Sequence, residues 1–244
     1  MNLDSYGVVG FSFNYVDYGE FLFTKVDPTS EKGYSDIEGF GVPSSYMVGI
    51  SYGKDLSDKF AVGGTIKFVN QDLGSSYVPI NTIELEDGSD STVIGTEDYM
   101  KGVIAFDFGT IFKTGFKSLA FGMSVRNFAS EQKYETESFE LPLMFRIGIS
   151  MDVLNFFETI NDVNKLNISI DAVHPRSFPE YIAIGGEYSF SDILYLRFGY
   201  ITSQSDYNYS AGAGVNYFGV SINYSYTPFD TFSDVSRFSV GFAF

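Results

Sequence analysis

The sequence predicts an all-β protein folded as a closed, antiparallel, up-and-down transmembrane β-barrel, and three observations lead there. Apolar and polar residues alternate along about thirteen segments, which gives each one greasy and one polar face. Many of these segments run to about ten residues, the span of a tilted membrane strand, where soluble sheets favour five or six. The last segment, "SRFSVGFAF", keeps Phe238, Val240, Phe242 and Phe244 at every second position up to an aromatic end, where soluble domains usually fray into polar residues.

Taken in order, the segments lie near residues 5–16, 18–26, 45–53, 60–71, 99–112, 118–128, 143–153, 165–174, 180–190, 193–201, 208–217, 219–227 and 235–244. The alternation is clearest in four of them. "SLAFGMSVRN" sets Leu119, Phe121, Met123 and Val125 against Ala120, Gly122, Ser124 and Arg126, and "FRIGISMD" sets Phe145, Ile147, Ile149 and Met151 against Arg146, Gly148, Ser150 and Asp152. "ILYLRFGY" opposes Leu194, Leu196, Phe198 and Tyr200 to Tyr195, Arg197 and Gly199, and "VSINYSY" opposes Val220, Ile222, Tyr224 and Tyr226 to Ser221, Asn223 and Ser225. The polar face is rich in Gly, Ser, Asn and Thr with isolated charges, which suits a crowded wet interior better than the Lys- and Glu-rich outside of a soluble sandwich. Aromatic residues near segment ends, Tyr15, Tyr18, Tyr52, Tyr188, Phe190, Tyr200, Tyr224 and Tyr226 among them, match interfacial girdles.

Connections give an independent reading. "VDYG", "KDLSDK" and "KTGFKS" are short, while about 27–44, 72–98 and 129–142 are long, and later connections continue the two series with less contrast. Short turns belong to the periplasmic rim and long loops to the outside. With "VDYG" as a short turn, the first segment runs from the outer rim downward, and an odd count of strands follows. Single-chain bacterial barrels carry even numbers. The expectation is therefore one domain over 1–244, lacking an upward strand or plug and a signal peptide before Met1, and fourteen strands when complete.

Composition narrows the function classes. The 244 residues hold 31 acids against 15 bases, a formal charge of −16, which opposes a nucleic-acid partner because phosphate binding needs clustered Lys and Arg. With no cysteine there is no disulfide or thiol chemistry, and with one histidine neither a histidine-rich metal site nor a catalytic triad is expected. No apolar run reaches about 18 residues, so a transmembrane helix is excluded.

The stretches "DAVHPRSFPEYIAIGGEYSFSDILYLRFGY", "SAGAGVNYFGVSINYSYTPF" and "SRFSVGFAF" resemble the carboxy-terminal half of the PorV/PorQ-type outer-membrane proteins, which are similar in architecture to the FadL long-chain fatty-acid transporters. "EDYMKGVIAFDFGTIFK" and "LAFGMSVRNF" resemble the middle strands of that family. The glycine-rich, N-P-A-like opening usual in the family has no counterpart here. The resemblance implies a fourteen-stranded FadL-like barrel in the outer membrane of a Gram-negative bacterium, a multi-pass protein in contact with membrane lipids. It also implies that Phe238, Phe242 and Phe244 form the signal by which the insertion machinery recognises the last strand.

Several residues stand out as candidates. Lys67, Asp107, Arg126, Arg146, Asp152, Asp171, Glu187, Arg197 and Arg237 fall on polar faces, and a basic side chain turned to lipid near the midplane would cost about 2–4 kcal/mol, so these should face the interior. They form either a salt-bridged filling or a polar path, with Arg126, Arg146 and Arg197 suited by their planar forks to bind carboxylates. His174 lies at the outer rim with Ser177 and Asp171 near in sequence, more a rim residue than a base. The segment 72–98 carries Asp72, Glu84, Glu86, Asp87, Asp90, Glu97 and Asp98 with no base, and reads as an acidic outer loop without the spacing of a defined calcium loop. "GAG" at 212–214 is followed by no helix, so it is not a nucleotide site.

Two functions follow from the resemblance. One is a non-enzymatic barrel, without cofactor or metal, that binds other outer-membrane or secreted proteins as a type IX secretion shuttle, attachment component or surface scaffold. The other is FadL-like binding or transport of a hydrophobic small molecule. Aromatic residues of the outer loops, Tyr34, Phe40, Tyr46, Tyr77, Tyr134 and Phe139, are the expected partner contacts, since aromatics dominate interface hot spots. The narrow, charged interior favours partner binding.

Overall fold

The structure, a computed structural model, describes residues 4–20, 23–26, 29–37, 42–84, 90–134, 137–157, 163–202, 206–231 and 233–243. One antiparallel sheet of twelve strands runs through it. In chain and spatial order these are β1 (Val8–Asp17), β4 (Ser44–Ser57), β5 (Phe60–Glu84), β6 (Asp90–Lys113), β7 (Ala120–Ala129), β10 (Met144–Asp152), β11 (Asn164–Pro175), β12 (Tyr181–Phe190), β13 (Leu194–Ile201), β14 (Tyr209–Tyr217), β15 (Val220–Thr227) and β16 (Val235–Phe242). Two hairpins stand apart, β2 (Phe23–Val26) with β3 (Tyr34–Ile37) and β8 (Gln132–Tyr134) with β9 (Glu137–Phe139). Each strand pairs with the next, the up-and-down order that the alternation predicts.

Two expectations are corrected. The segment 18–26 adds no strand to the sheet: Tyr18 N–H bonds to the Pro43 carbonyl, β2 pairs only with β3, and β1 lies directly against β4. "VDYG" is thus the start of a long excursion rather than a tight turn. β1 consequently runs the other way, toward the rim of long connections, and the count is twelve, an even number. The parity argument for a strand before Met1 falls with it. β1 and β16 are the two edges of the sheet and do not pair with each other.

With β1 reoriented, the connections sort completely. The turns 58–59, 114–119, 153–163, 191–193 and 218–219 lie on one rim, together with the start of β1 and the end of β16. The opposite rim carries 18–43, the β5–β6 tip, 130–143, 176–180, 202–208 and 228–234. Sequence explains one of the two-residue turns: Phe218 and Gly219 both take positive φ, 49° and 77°, as a turn matched to strand twist requires. The described parts of the segment 72–98, residues 72–84 and 90–98, are strand rather than loop. β4 leaves β5 at Asp72 and β7 leaves β6 at Ala105, so from Ser75↔Asp98 to Glu84↔Asp90 the two strands pair only with each other, as a ribbon projecting past the long-connection rim.

The packing is inverted relative to a soluble domain. Val103, Ala105 and Val173 are the buried apolar residues among those described. The outer face reads across the register as Phe11↔Ile50↔Ile66↔Phe106, then Phe121↔Ile149↔Ile170↔Ile184, then Leu196↔Ala213↔Tyr224↔Phe238. Phe11, Ile50, Leu196 and Phe238 are all more than half exposed. The accessible surface is 17330 Å², against roughly 11,000 Å² for a compact soluble chain of 27.1 kDa. Aromatic residues gather toward both ends of the apolar face, Tyr15, Tyr46, Tyr200 and Tyr209 at the long rim and Tyr52, Tyr188, Phe190, Tyr217 and Phe242 at the short one. No helix among the described residues is long and apolar enough to cross a membrane, which says nothing of strands.

Candidate functional site in the concave polar face

The polar face curves around a cavity of about 1050 Å³ bordered by β1, β4, β5, β6, β7, β10 and β11. Small residues make that space. Gly10, Gly53, Gly63, Gly109 and Gly122 line it from the strands, with Ser51, Thr65 and Ser124 between them and Arg126, Arg146 and Asp171 toward the long-connection end. A second cavity, about 810 Å³, lies over β13 to β16 and holds Arg197 and Arg237.

The first charged cluster owes its existence to a bulge. The β6–β7 register slips between Phe106 and Phe108, so that Arg126 and Asn127 together face Asp107. Asn127 takes φ 62°, a left-handed conformation that asparagine tolerates, and its side chain swings off the apolar face where simple alternation would leave it. Its N–H donates to Asp107 Oδ1 at 2.8 Å and its Nδ2 to the Pro142 carbonyl at 2.8 Å. Lys67 Nζ then donates to Asp107 at 2.7 and 2.8 Å and to Asn127 Oδ1 at 2.6 Å. The ammonium has three donors and all three are used. At 10% and 19% side-chain exposure this is a shielded pair, satisfied on every side.

A second cluster spans β12 to β15. Arg197 Nε donates to Glu187 Oε2 at 2.6 Å, its Nη1 to Asn223 Oδ1 at 2.8 Å, and its guanidinium carbon sits 5.2 Å from the Tyr195 ring centre. Reaching Asn223 means crossing β14, which is possible because Gly214 has no side chain. A Cβ there would lie 3.0 Å from Arg197 Nη1 and 2.5 Å from Asn223 Oδ1. The same row continues across Gly212 and Ser225 to Arg237.

The third group is loosely joined. Arg146 Nη1 lies 3.8 Å from Asp171 Oδ2, beyond hydrogen-bond distance, with 44% of the arginine side chain exposed. Asp171 leans over Gly148, where an added Cβ would collide with its carboxylate. Arg126 borders the same cavity and makes no ion pair or side-chain hydrogen bond among the described residues. Arg237 likewise has none among them.

The other candidates fall elsewhere. Asp152 is consumed structurally, accepting from the Leu154 and Leu166 N–H groups at 3.1 and 3.0 Å and so fixing the turn after β10. His174 shares the outer face with Phe145, opposite to Asp171 on the same strand, and its Nδ1 pairs with Glu180 Oε1 at 2.9 Å while both side chains are mostly exposed. That pair is a rim contact, and Asp171 is on the wrong face to orient the imidazole. The Glu180 carboxyl is held below its ordinary range, first by a hydrogen bond from its own backbone N–H and then by His174. Tyr34 lies in β3 and is 43% exposed, and Phe139 lies in β9. Tyr46 is corrected from outer loop to outer face, where it lies in β4 with its ring 6.2 Å from that of Phe68. Phe238 and Phe242 project from β16 on the apolar face. Phe40 and Phe244 fall outside the described residues, as do the side chains of Tyr77 and Tyr134 and all the acidic side chains from 82 to 94. Among the described residues, no group of His, Asp and Glu is arranged to hold a metal.

Sequence reading misses Asn127 and Asn223. Alternation assigns Asn127 to the wrong face, and only a bulge in an otherwise regular strand pair corrects it. Asn223 is on the predicted polar face, yet its role depends on the glycine between it and Arg197. Compared with known proteins, the chain matches no protein-family model and no curated protein.

Proposed function

We propose that this chain is a β-barrel of a Gram-negative outer membrane, closed by pairing of β16 with β1, and that it serves as a PorV-like holder of exported or outer-membrane proteins without chemistry of its own. The observation that carries the membrane reading is the unbroken apolar face over all twelve strands, bounded by aromatic residues at both rims. An even strand number, with both sheet ends at the short-turn rim, suits closure, because β1 and β16 then meet antiparallel. In hydrocarbon the unpaired N–H and C=O groups of two free edges would each cost several kcal/mol, which drives the seam together. Partner binding is supported by the asymmetry of the rims: the hairpins β2–β3 and β8–β9 and the β5–β6 ribbon all stand on one side, while the Lys67 and Arg197 clusters occupy the interior.

A FadL-like carrier of hydrophobic molecules is the second reading, favoured by the 1050 Å³ cavity, a volume suited to a small molecule. Val8, Val62, Phe108 and Met123 also line it, but the glycines, hydroxyls and two guanidinium groups favour a ligand with a polar group over a wholly apolar one.

The test is purification from outer membranes in mild detergent. A protein partner recovered in stoichiometric amount supports the holder. A retained lipid with no protein overturns it in favour of the carrier. Recovery of the chain as a monomer in buffer without detergent would remove the membrane reading itself.

A further inference from the structure

We propose that the larger cavity binds a small water-soluble carboxylate between Arg126 and Arg146, with Asp171 as an internal competitor for the site. The placement of the arginines is uneven. The chain has five, and four of them, Arg126, Arg146, Arg197 and Arg237, stand on the polar face of the sheet in a protein of net charge −16. A filling of ion pairs would hold each at hydrogen-bond distance from a carboxylate, as Lys67 and Arg197 are held. Arg126 and Arg146 are not.

These two lie diagonally on facing strands, Arg126 opposite Met144 and Arg146 opposite Ser124, a relation that brings Cβ atoms within about 7–8 Å. Two guanidinium forks at that spacing can close on one carboxylate from both sides. The cavity next to them is empty of side chains because the inward positions Gly109 and Gly122 carry none, and a Cβ built at Gly122 would meet nothing within 4 Å. Asp107 is neutralised by Lys67, and Lys54 and Asp55 on the same cavity offset each other in charge, which leaves two cations facing Asp171.

Asp171 shows what chemistry fits. It is a carboxylate drawn toward Arg146 yet stopped at 3.8 Å, too far for a hydrogen bond. A free carboxylate able to approach to about 2.8 Å makes the contact that Asp171 does not. Ser124, opposite Arg146 in register, supplies a hydroxyl for the remainder of a polar solute, while the Ser51 and Thr65 hydroxyls, bonded to each other at 2.7 Å, line the cavity farther along. The ligand proposed is compact and hydrophilic, and a fatty carboxylate with the same headgroup is the alternative that the experiment separates. This inference uses only the concave face and holds whether or not a protein partner binds the rim.

The experiment is calorimetric titration of succinate into the purified, detergent-solubilised protein at low salt, with octylammonium chloride and dodecanoate as controls. Succinate is expected to bind, Arg126→Gln and Arg146→Gln to weaken it about tenfold each, and Asp171→Asn to tighten it several-fold by freeing Arg146. Arg126→Lys, which keeps the charge and loses the fork, should fall between, and retains the test if the glutamine variants fold poorly. Absence of succinate binding to both the wild type and Asp171→Asn overturns the proposal. So does a weakening by Asp171→Asn, which would make Asp171 a support of the site, or dodecanoate binding with the same arginine dependence, which would assign the arginines to a lipid.

Discussion

The Lys67 and Arg146 pairs sit on the same polar face, yet one is finished and the other is not. Lys67 has two acceptor residues, Asp107 and Asn127, and is buried among them, while Arg146 faces a single carboxylate across 3.8 Å of open cavity. The difference lies in the backbone beside each. A bulge adds Asn127 to the first cluster, whereas glycines at 109, 122 and 148 withhold side chains from the second. Shielded, satisfied pairs lock strands together, and open ones keep their charge available to something else.

This contrast can be broken most forcefully at Lys67. Replacing it with alanine leaves Asp107 shielded without a cation and should cost about 3 kcal/mol or more, read as a lowered midpoint of urea unfolding in detergent. The corresponding loss for Arg146→Ala should stay below about 1 kcal/mol, and equal costs would mean that the two clusters are not different in kind. Next in size is Gly214→Ala, which forces Arg197 off Asn223 and should cost about 1–2 kcal/mol. Gly122→Ala, with open space around the new methyl, should change stability by no more than about 0.5 kcal/mol. The smallest effect belongs to the rim. Because Glu180 titrates below its ordinary range, the stabilisation it gives is present above pH about 4.5 and fades as pH falls through the lowered value. His174→Ala should raise the Glu180 titration only part of the way back in an NMR pH series, since the larger cause, the backbone hydrogen bond, remains.

Much of the wall could be read directly from the residues. Period-two alternation places Leu196, Phe198, Ile147 and Ile222 on one side and Arg146, Arg197 and Glu187 on the other, because register in a two-faced sheet admits no slip without turning every side chain over. What sequence hides is non-local or irregular. "VDYG" has the composition of a tight turn, and only the pairing of Tyr18 with Pro43 reveals a long excursion. Alternation continues through Asn127 as if no bulge were there. The acid-rich stretch after Asp72 has loop composition, but two such arms zipped to each other make a ribbon that no single arm announces. Charge partners are hidden for a similar reason, since Arg197 and Asn223 meet only across a residue that has no side chain.

The ribbon has a consequence for how this molecule can vary. Beyond Asp72 and Met100 its arms pair only with each other, so removing two residues from each would shift no pair in the wall and turn no side chain over. At about 3.3 Å of rise per residue, every such step draws the tip in by some 7 Å. Reach above the rim is therefore an adjustable length, free to lengthen or shorten while the twelve-stranded wall beneath it stays as it is.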